Sequence, residues 1–171
     1  MIQKAFLEQK FDRYVKMVRF SPRGGLVAVG DLNGRVHLWD IKQNKLIKEI
    51  RAKSGVSSLA FSPDGRRLAI GQARGVQLYN LETDQAGYTI GVSNRGGVAA
   101  FSPDGRYLLV GQARGEFQVW EVVGNNNGPH FAAKHARADQ LGDTTHAAFL
   151  PDGRGAVTVH EDRAVRIWRL P

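Results

Sequence analysis

Apolar positions fall in short runs separated by turn residues, and the same succession of run and turn returns four times. In its second occurrence, Val56 to Phe61 is mostly apolar and closes at Ser62-Pro-Asp-Gly65. Proline presets φ near −65° and glycine accepts a positive φ, so this tetrapeptide predicts a tight hairpin turn. An almost continuous apolar stretch follows, as in Leu26-Val-Ala-Val29 and Leu108-Leu-Val110. Such a stretch predicts a strand covered on both faces. Asn33-Gly34, Arg74-Gly75 and Arg114-Gly115 make a second turn. The next strand alternates, Val36 and Leu38 against His37 and Trp39, or Phe117 and Val119 against Gln118 and Trp120. Period two marks a half-covered strand. A weaker fourth strand comes last, at Lys45 to Ile50 and Gly87 to Val92. Each unit is therefore expected to be a four-stranded antiparallel meander, and no segment carries a helical period with caps.

The anchoring residues Phe20, Phe61, Phe101 and Phe149 lie 41, 40 and 48 residues apart. A period near 40 with four strands per repeat is the signature of a β-propeller blade. Phe-Ser-Pro-Asp-Gly, the apolar strand and the closing Trp39-Asp40 together resemble the WD40-repeat family over nearly the whole chain. The resemblance implies an all-β fold: a β-propeller of four-stranded antiparallel WD40-like blades, four per chain. It also implies a blade network of His, Ser/Thr, Trp and Asp. The Trp place holds Trp39, Tyr79, Trp120 and Trp168; the Asp place holds Asn33, Arg74, Arg114 and Asp162. The His place holds Phe11 and Ala52 in the first two copies and has no aligned histidine in the others. The network is accordingly expected to be lost, leaving apolar packing between sheets.

The chain is expected to form one unit over 1–171, with repeats at about 10–50, 51–91, 92–134 and 135–171. The last repeat has residues for three strands only, while Ile2 to Gln9 reads as a lone strand. Residues 1–9 are thus expected to close the last blade, in cis or in a partner chain, covering an edge that would otherwise pair with strangers. Three closures are open: a four-blade ring, an eight-blade homodimer, or completion by another chain.

Charge adds one asymmetry. The net +8 sits mainly in residues 1–50, which hold 10 Lys/Arg against 5 Asp/Glu. Arg74, Arg114 and Arg163 fall at the second turn of three units, and Arg51, Lys53 and Arg95 on the loops that enter them. In propellers of the resembling family these turns and loops share one face, so the six could form a basic arc suited to carboxylate or phosphate ligands. The recurring Asp64, Asp104 and Asp152 read as turn residues bonding local amides. An insertion from Gly124 to Asp143 breaks the period and carries Lys134, His135 and Arg137 on a candidate binding loop. His160 reads as a structural hydrogen-bonding residue.

No phosphate-binding glycine loop, zinc-helix motif or nucleophile elbow is present. With no cysteine, thiolate chemistry is excluded. The expectation is a non-catalytic protein-interaction or assembly scaffold, without cofactor or metal, binding protein partners and forming a homodimer or larger assembly. The alternatives are a polyanion- or RNA-binding module using the basic face, and an enzyme with its site at the channel mouth. No run is long and apolar enough for a membrane span and no export signal is seen at Met1 to Lys10, so a cytoplasmic location is expected.

Overall fold

The computed structural model describes residues 11, 14–90, 97–111, 115–122, 134–136 and 142–170. They form antiparallel sheets in simple up-and-down order. The first sheet comprises β1 (Val15–Phe20), β2 (Leu26–Asp31), β3 (Arg35–Asp40) and β4 (Lys45–Arg51). The second comprises β5 (Ser58–Phe61), β6 (Arg67–Gln72), β7 (Gly75–Asn80) and β8 (Gln85–Ile90). The third holds β9 (Val98–Phe101), β10 (Tyr107–Gly111), β11 (Phe117–Glu121) and β12 (Lys134–Ala136). The fourth has three strands among the described residues, β13 (Thr144–Phe149), β14 (Gly155–His160) and β15 (Val165–Arg169). The expected closing strand at 1–9 lies outside the described residues.

The Pro-Asp-Gly turns form for the reason their residues suggest. Gly65, Gly105 and Gly153 adopt φ of 63°, 72° and 71°. The Asp64 carboxylate accepts the Arg66 amide at 3.0 Å and the Ser62 hydroxyl at 2.5 Å; Asp104 repeats this with Arg106 and Ser102. Asp152 accepts only the Arg154 amide of such a set, since Leu150 replaces the serine. Burial pushes the Asp64 carboxyl up, but the Ser62 hydroxyl, the Arg66 amide and the Arg67 and Arg66 charges outweigh it and hold it below the usual range. The Ser102 hydroxyl, then the Arg106 amide, hold Asp104 low in the same way.

First strands of successive sheets lie side by side, β1 by β5, β5 by β9 and β9 by β13. Each interior sheet therefore buries two faces. Strand register shows that one pairing of faces is used at every joint. The trailing face of the first sheet presents Ala28, Val36 and Leu38 to the leading face of the second, Leu59, Leu68, Ile70 and Tyr79. The second sheet's trailing Ala69, Val76 and Leu78 meet the third's leading Ala99, Leu108 and Val110, with Phe101 and Trp120 beside them. The third sheet's trailing Leu109 and Phe117, flanked by Val119, meet Ala156, Ala147, Phe149 and Trp168 of the fourth. The Phe117 and Trp168 rings stand edge to face at 5.0 Å, a favoured aromatic geometry.

The trailing faces of the first three sheets each carry a glycine where the chain entering the next sheet comes close. A Cβ on Gly30 would stand 2.6 Å from the Val56 side chain, and one on Gly111 would stand 2.7 Å from that of Thr144. At Gly71 a methyl would run into the Gly97 carbonyl oxygen and the Ser58 hydroxyl.

The two remaining faces, at the ends of the array, carry exposed apolar side chains, although Val29 is buried and His37 packs against Phe11 on the first sheet's leading face. On the leading face of the first sheet Val18 is 50% and Phe20 68% exposed, whereas the second sheet's equivalent of Val18, Leu59, is 1% exposed. On the trailing face of the fourth, Val165 is 65% and Ile167 72% exposed; their equivalents Val36 and Leu38 are 0% and 2%.

Candidate functional site

The loop entering the second sheet lies beside the second turns of the first and second sheets. The Ala52 amide donates to the Gly34 carbonyl at 2.7 Å, tying the second loop to the first sheet's turn. The Lys53 amide donates to the Gln72 side-chain oxygen at 2.7 Å, and the Ala73 amide to the Ser54 hydroxyl at 2.8 Å. Lys53 and Arg74 are thereby held on neighbouring stretches of one rim, both exposed. Among the described residues neither makes an ion pair. Arg51 differs: its guanidinium donates to the Glu49 carboxylate at 3.2 Å, where Arg35 also approaches. Arg163 occupies the fourth sheet's second turn at φ 68°, beside an Asp162–Arg166 ion pair of 2.6 Å. That guanidinium holds the Asp162 carboxyl below its usual range. Arg95, Arg114 and Arg137 lie outside the described residues, so the arc is seen only in part.

Two site expectations need correction. Lys134 and His135 do not sit on a loop. Their backbone forms β12, pairing with Val119 and Gln118 of β11 as the outer strand of the third sheet. The third unit therefore reaches Ala136, beyond the boundary drawn at 134/135. The reason is edge satisfaction: β11 exposes unpaired backbone groups that an extended segment can cover.

The polar blade network is also not wholly lost. In the fourth sheet the Trp168 indole N–H donates to the Thr158 hydroxyl oxygen at 2.7 Å, and that hydroxyl lies 2.7 Å from His160 Nε2. Thr158 is fully buried and His160 nearly so. Register explains its restriction to this sheet. Val27, Leu68, Leu108 and Ala156 each pair with the aromatic of their sheet, and two residues onward stand Val29, Ile70, Val110 and Thr158. Only Thr158 offers an oxygen there. The histidine comes from the end of β14 rather than from the loop before the sheet.

In the second sheet the substitute is different. The Tyr79 hydroxyl donates to Asp84, which also pairs with Lys48 of the first sheet. The hydrogen bond from Lys48, with that from Tyr79, holds the Asp84 carboxyl low; the same partner raises Lys48. Burial, then the bond to Asp84, raises Tyr79. This trio ties two sheets at their outer edge. In the first sheet the buried Trp39 indole N–H has no partner among the described residues. His37 beside it packs against Phe11 at 5.0 Å.

Among the described residues no group of three or more His, Asp or Glu side chains could hold a metal ion, and no helix is long and apolar enough to cross a membrane. What the fold defines is a tandem array of WD40-type sheets. Comparison with known proteins agrees: residues 44–80 match the WD domain, G-beta repeat, and residues 2–61 match the WD40 domain of anaphase-promoting complex subunit 4. The chain carries WD40 repeats. It is similar to small ribosomal subunit protein RACK1 of Candida albicans, 35% identical over 69 residues, 40% of this chain and 22% of that protein. WD repeat-containing protein 1-B of Xenopus laevis is 38% identical over 77 residues, covering 43% and 13%. MST50-interacting protein 11 of Pyricularia oryzae is 32% identical over 69 residues, covering 40% and 22%. The matched stretch thus spans about a fifth or less of these relatives' length.

Proposed function

We infer that this chain is a non-catalytic protein-binding module that works within an assembly, and that the assembly includes further copies of itself. The observation that carries this reading is the exposure of Val18, Phe20, Val165 and Ile167 on the two end faces, where the equivalent side chains at the internal joints are covered. Large apolar side chains gathered on a face mark an interaction surface. Relatives named as a ribosomal subunit protein and as an interacting protein support a role in protein association. The test is solution mass by light scattering over a range of protein concentrations. The expected result is a mass above the 18.8 kDa of one chain, rising with concentration; 18.8 kDa throughout refutes self-assembly.

A second reading, binding of RNA or another polyanion, is favoured by Lys53 and Arg74 on one rim, neither of which makes an ion pair among the described residues. It predicts affinity that falls steeply with salt and a further loss in Arg74→Glu. Affinity indifferent to both would reject it.

A further inference from the structure

We propose that the exposed trailing face of the fourth sheet docks on the exposed leading face of the first sheet of a second copy, so that two chains close one eight-sheet ring through two identical seams. This rests on the self-assembly reading and names its surfaces and stoichiometry. The occupant follows from the joints already made. Three times within the chain, a trailing face bearing two apolar residues on the third strand meets a leading face bearing the anchoring phenylalanine. The uncovered pair is the same pair of surfaces. Val165 and Ile167 stand where Val36 and Leu38, or Val76 and Leu78, are buried, and Phe20 stands where Phe61, Phe101 and Phe149 are partly covered. A surface of the same pattern as the one that covers each internal face is therefore carried by every other copy of this chain.

A trailing face meeting a leading face is a head-to-tail contact, which closes into a ring when the rotation permits and otherwise runs on. Eight sheets fall within the range of closed propellers. The seam has its own contact. At the internal joints Gly30 lies against Val56 and Gly111 against Thr144. The equivalent pair across the seam is Val159 of one copy and Val15 of the other, by the register of β14 and β1. Valine in the glycine's place gives the seam a wider spacing than the joints within a chain.

Two single variants and their mixture test this. Ile167→Asp disables the exposed trailing face of every copy and Phe20→Asp the exposed leading face, so each alone is expected to weaken dimerisation by at least about 30-fold at each seam. Mixed together, they restore one intact seam, and light scattering should then show twice 18.8 kDa where each alone shows 18.8 kDa. Both residues are exposed in the chain, so circular dichroism should match wild type. Because the chain has no cysteine, Val15→Cys/Val159→Cys offers a check with no charge introduced: oxidation should give a covalent dimer. A wild type that is 18.8 kDa throughout sinks both the self-assembly reading and this inference. A wild type that assembles while the mixture stays unpaired, or while only one variant dissociates, overturns this pairing alone. An oxidised monomer closed within itself means a four-sheet ring, and a mass series without limit means an open chain; either overturns the two-copy ring.

Discussion

Replacing Thr158 by valine isolates the polar network of the fourth sheet with little change of shape. Valine or isoleucine already occupies the equivalent place in the other three sheets, as Val29, Ile70 and Val110, so the backbone accepts it. The substitution removes the acceptor of the Trp168 N–H and the neighbour of His160 Nε2, both at 2.7 Å. His160 is 2% exposed and its Nδ1 has no other partner among the described residues. A buried polar group left unpaired costs about 1–3 kcal/mol. The histidine takes the full cost and the half-buried indole less, giving about 2–4 kcal/mol; the added methyl returns roughly 0.8 kcal/mol. A net loss of about 1–3 kcal/mol is expected. Urea unfolding followed by far-ultraviolet circular dichroism reads it without relying on tryptophan fluorescence. Adding Trp168→Phe should cost less in the valine background than in the wild type, because the N–H it removes is already unpaired. A loss below about 0.5 kcal/mol, or strictly additive losses, would refute a stabilising role for the network.

Other outcomes follow from the same geometry. Val29→Thr places a hydroxyl where Trp39 has an unmatched N–H, so its stability should stay within about 0.5 kcal/mol of wild type, against the 1–3 kcal/mol loss ordinary for an unmatched buried hydroxyl; a loss in that larger range rejects the equivalence. Gly71→Ala should lose about 2–3 kcal/mol in chemical denaturation, since the methyl meets the Gly97 carbonyl and the Ser58 hydroxyl that bonds it. For acid, the sign follows from Asp64, Asp84, Asp104 and Asp162, all held below their unfolded values. Their contribution is present above the unfolded pKa near 3.8 and lost as pH falls through the lower folded values, because the unfolded chain then binds more protons. Urea midpoints should hold between pH 7 and about 5 and drop below about pH 4; a midpoint that rises on acidification contradicts this.

The strands and turns were legible because their causes are local. Ser62-Pro-Asp-Gly65 specifies its hairpin by chemistry within four residues, and the alternation from Val36 to Trp39 needs only period two. The fourth sheet's network was not legible in the same way. Thr158 sits inside Ala156-Val-Thr-Val159, which reads as one apolar run, and its histidine comes from the strand end instead of the preceding loop. Comparing the four copies at the position of Val29 would have exposed the lone hydroxyl. The strand at Lys134–Ala136 is too short to show a period beside Gly124-Asn-Asn-Asn-Gly128. Exposure of the end faces could not be read at all: Val165 and Ile167 obey the same pattern as Val36 and Leu38, and burial depends on what stands opposite. The basic arc is likewise spatial, and only Lys53 and Arg74 are brought together among the described residues.

Since each joint is made from the same two surfaces, the number of sheets is not fixed by any one of them. Phe-Ser-Pro-Asp-Gly is identical at 61–65 and 101–105, and Gly-Gln-Ala-Arg-Gly at 71–75 and 111–115. Recombination between such stretches removes or adds 40 residues, one whole unit in register, and the sheets brought together meet through a trailing and a leading face as before. A gain or loss of one such unit therefore keeps a trailing face opposite a leading face at every joint within the chain.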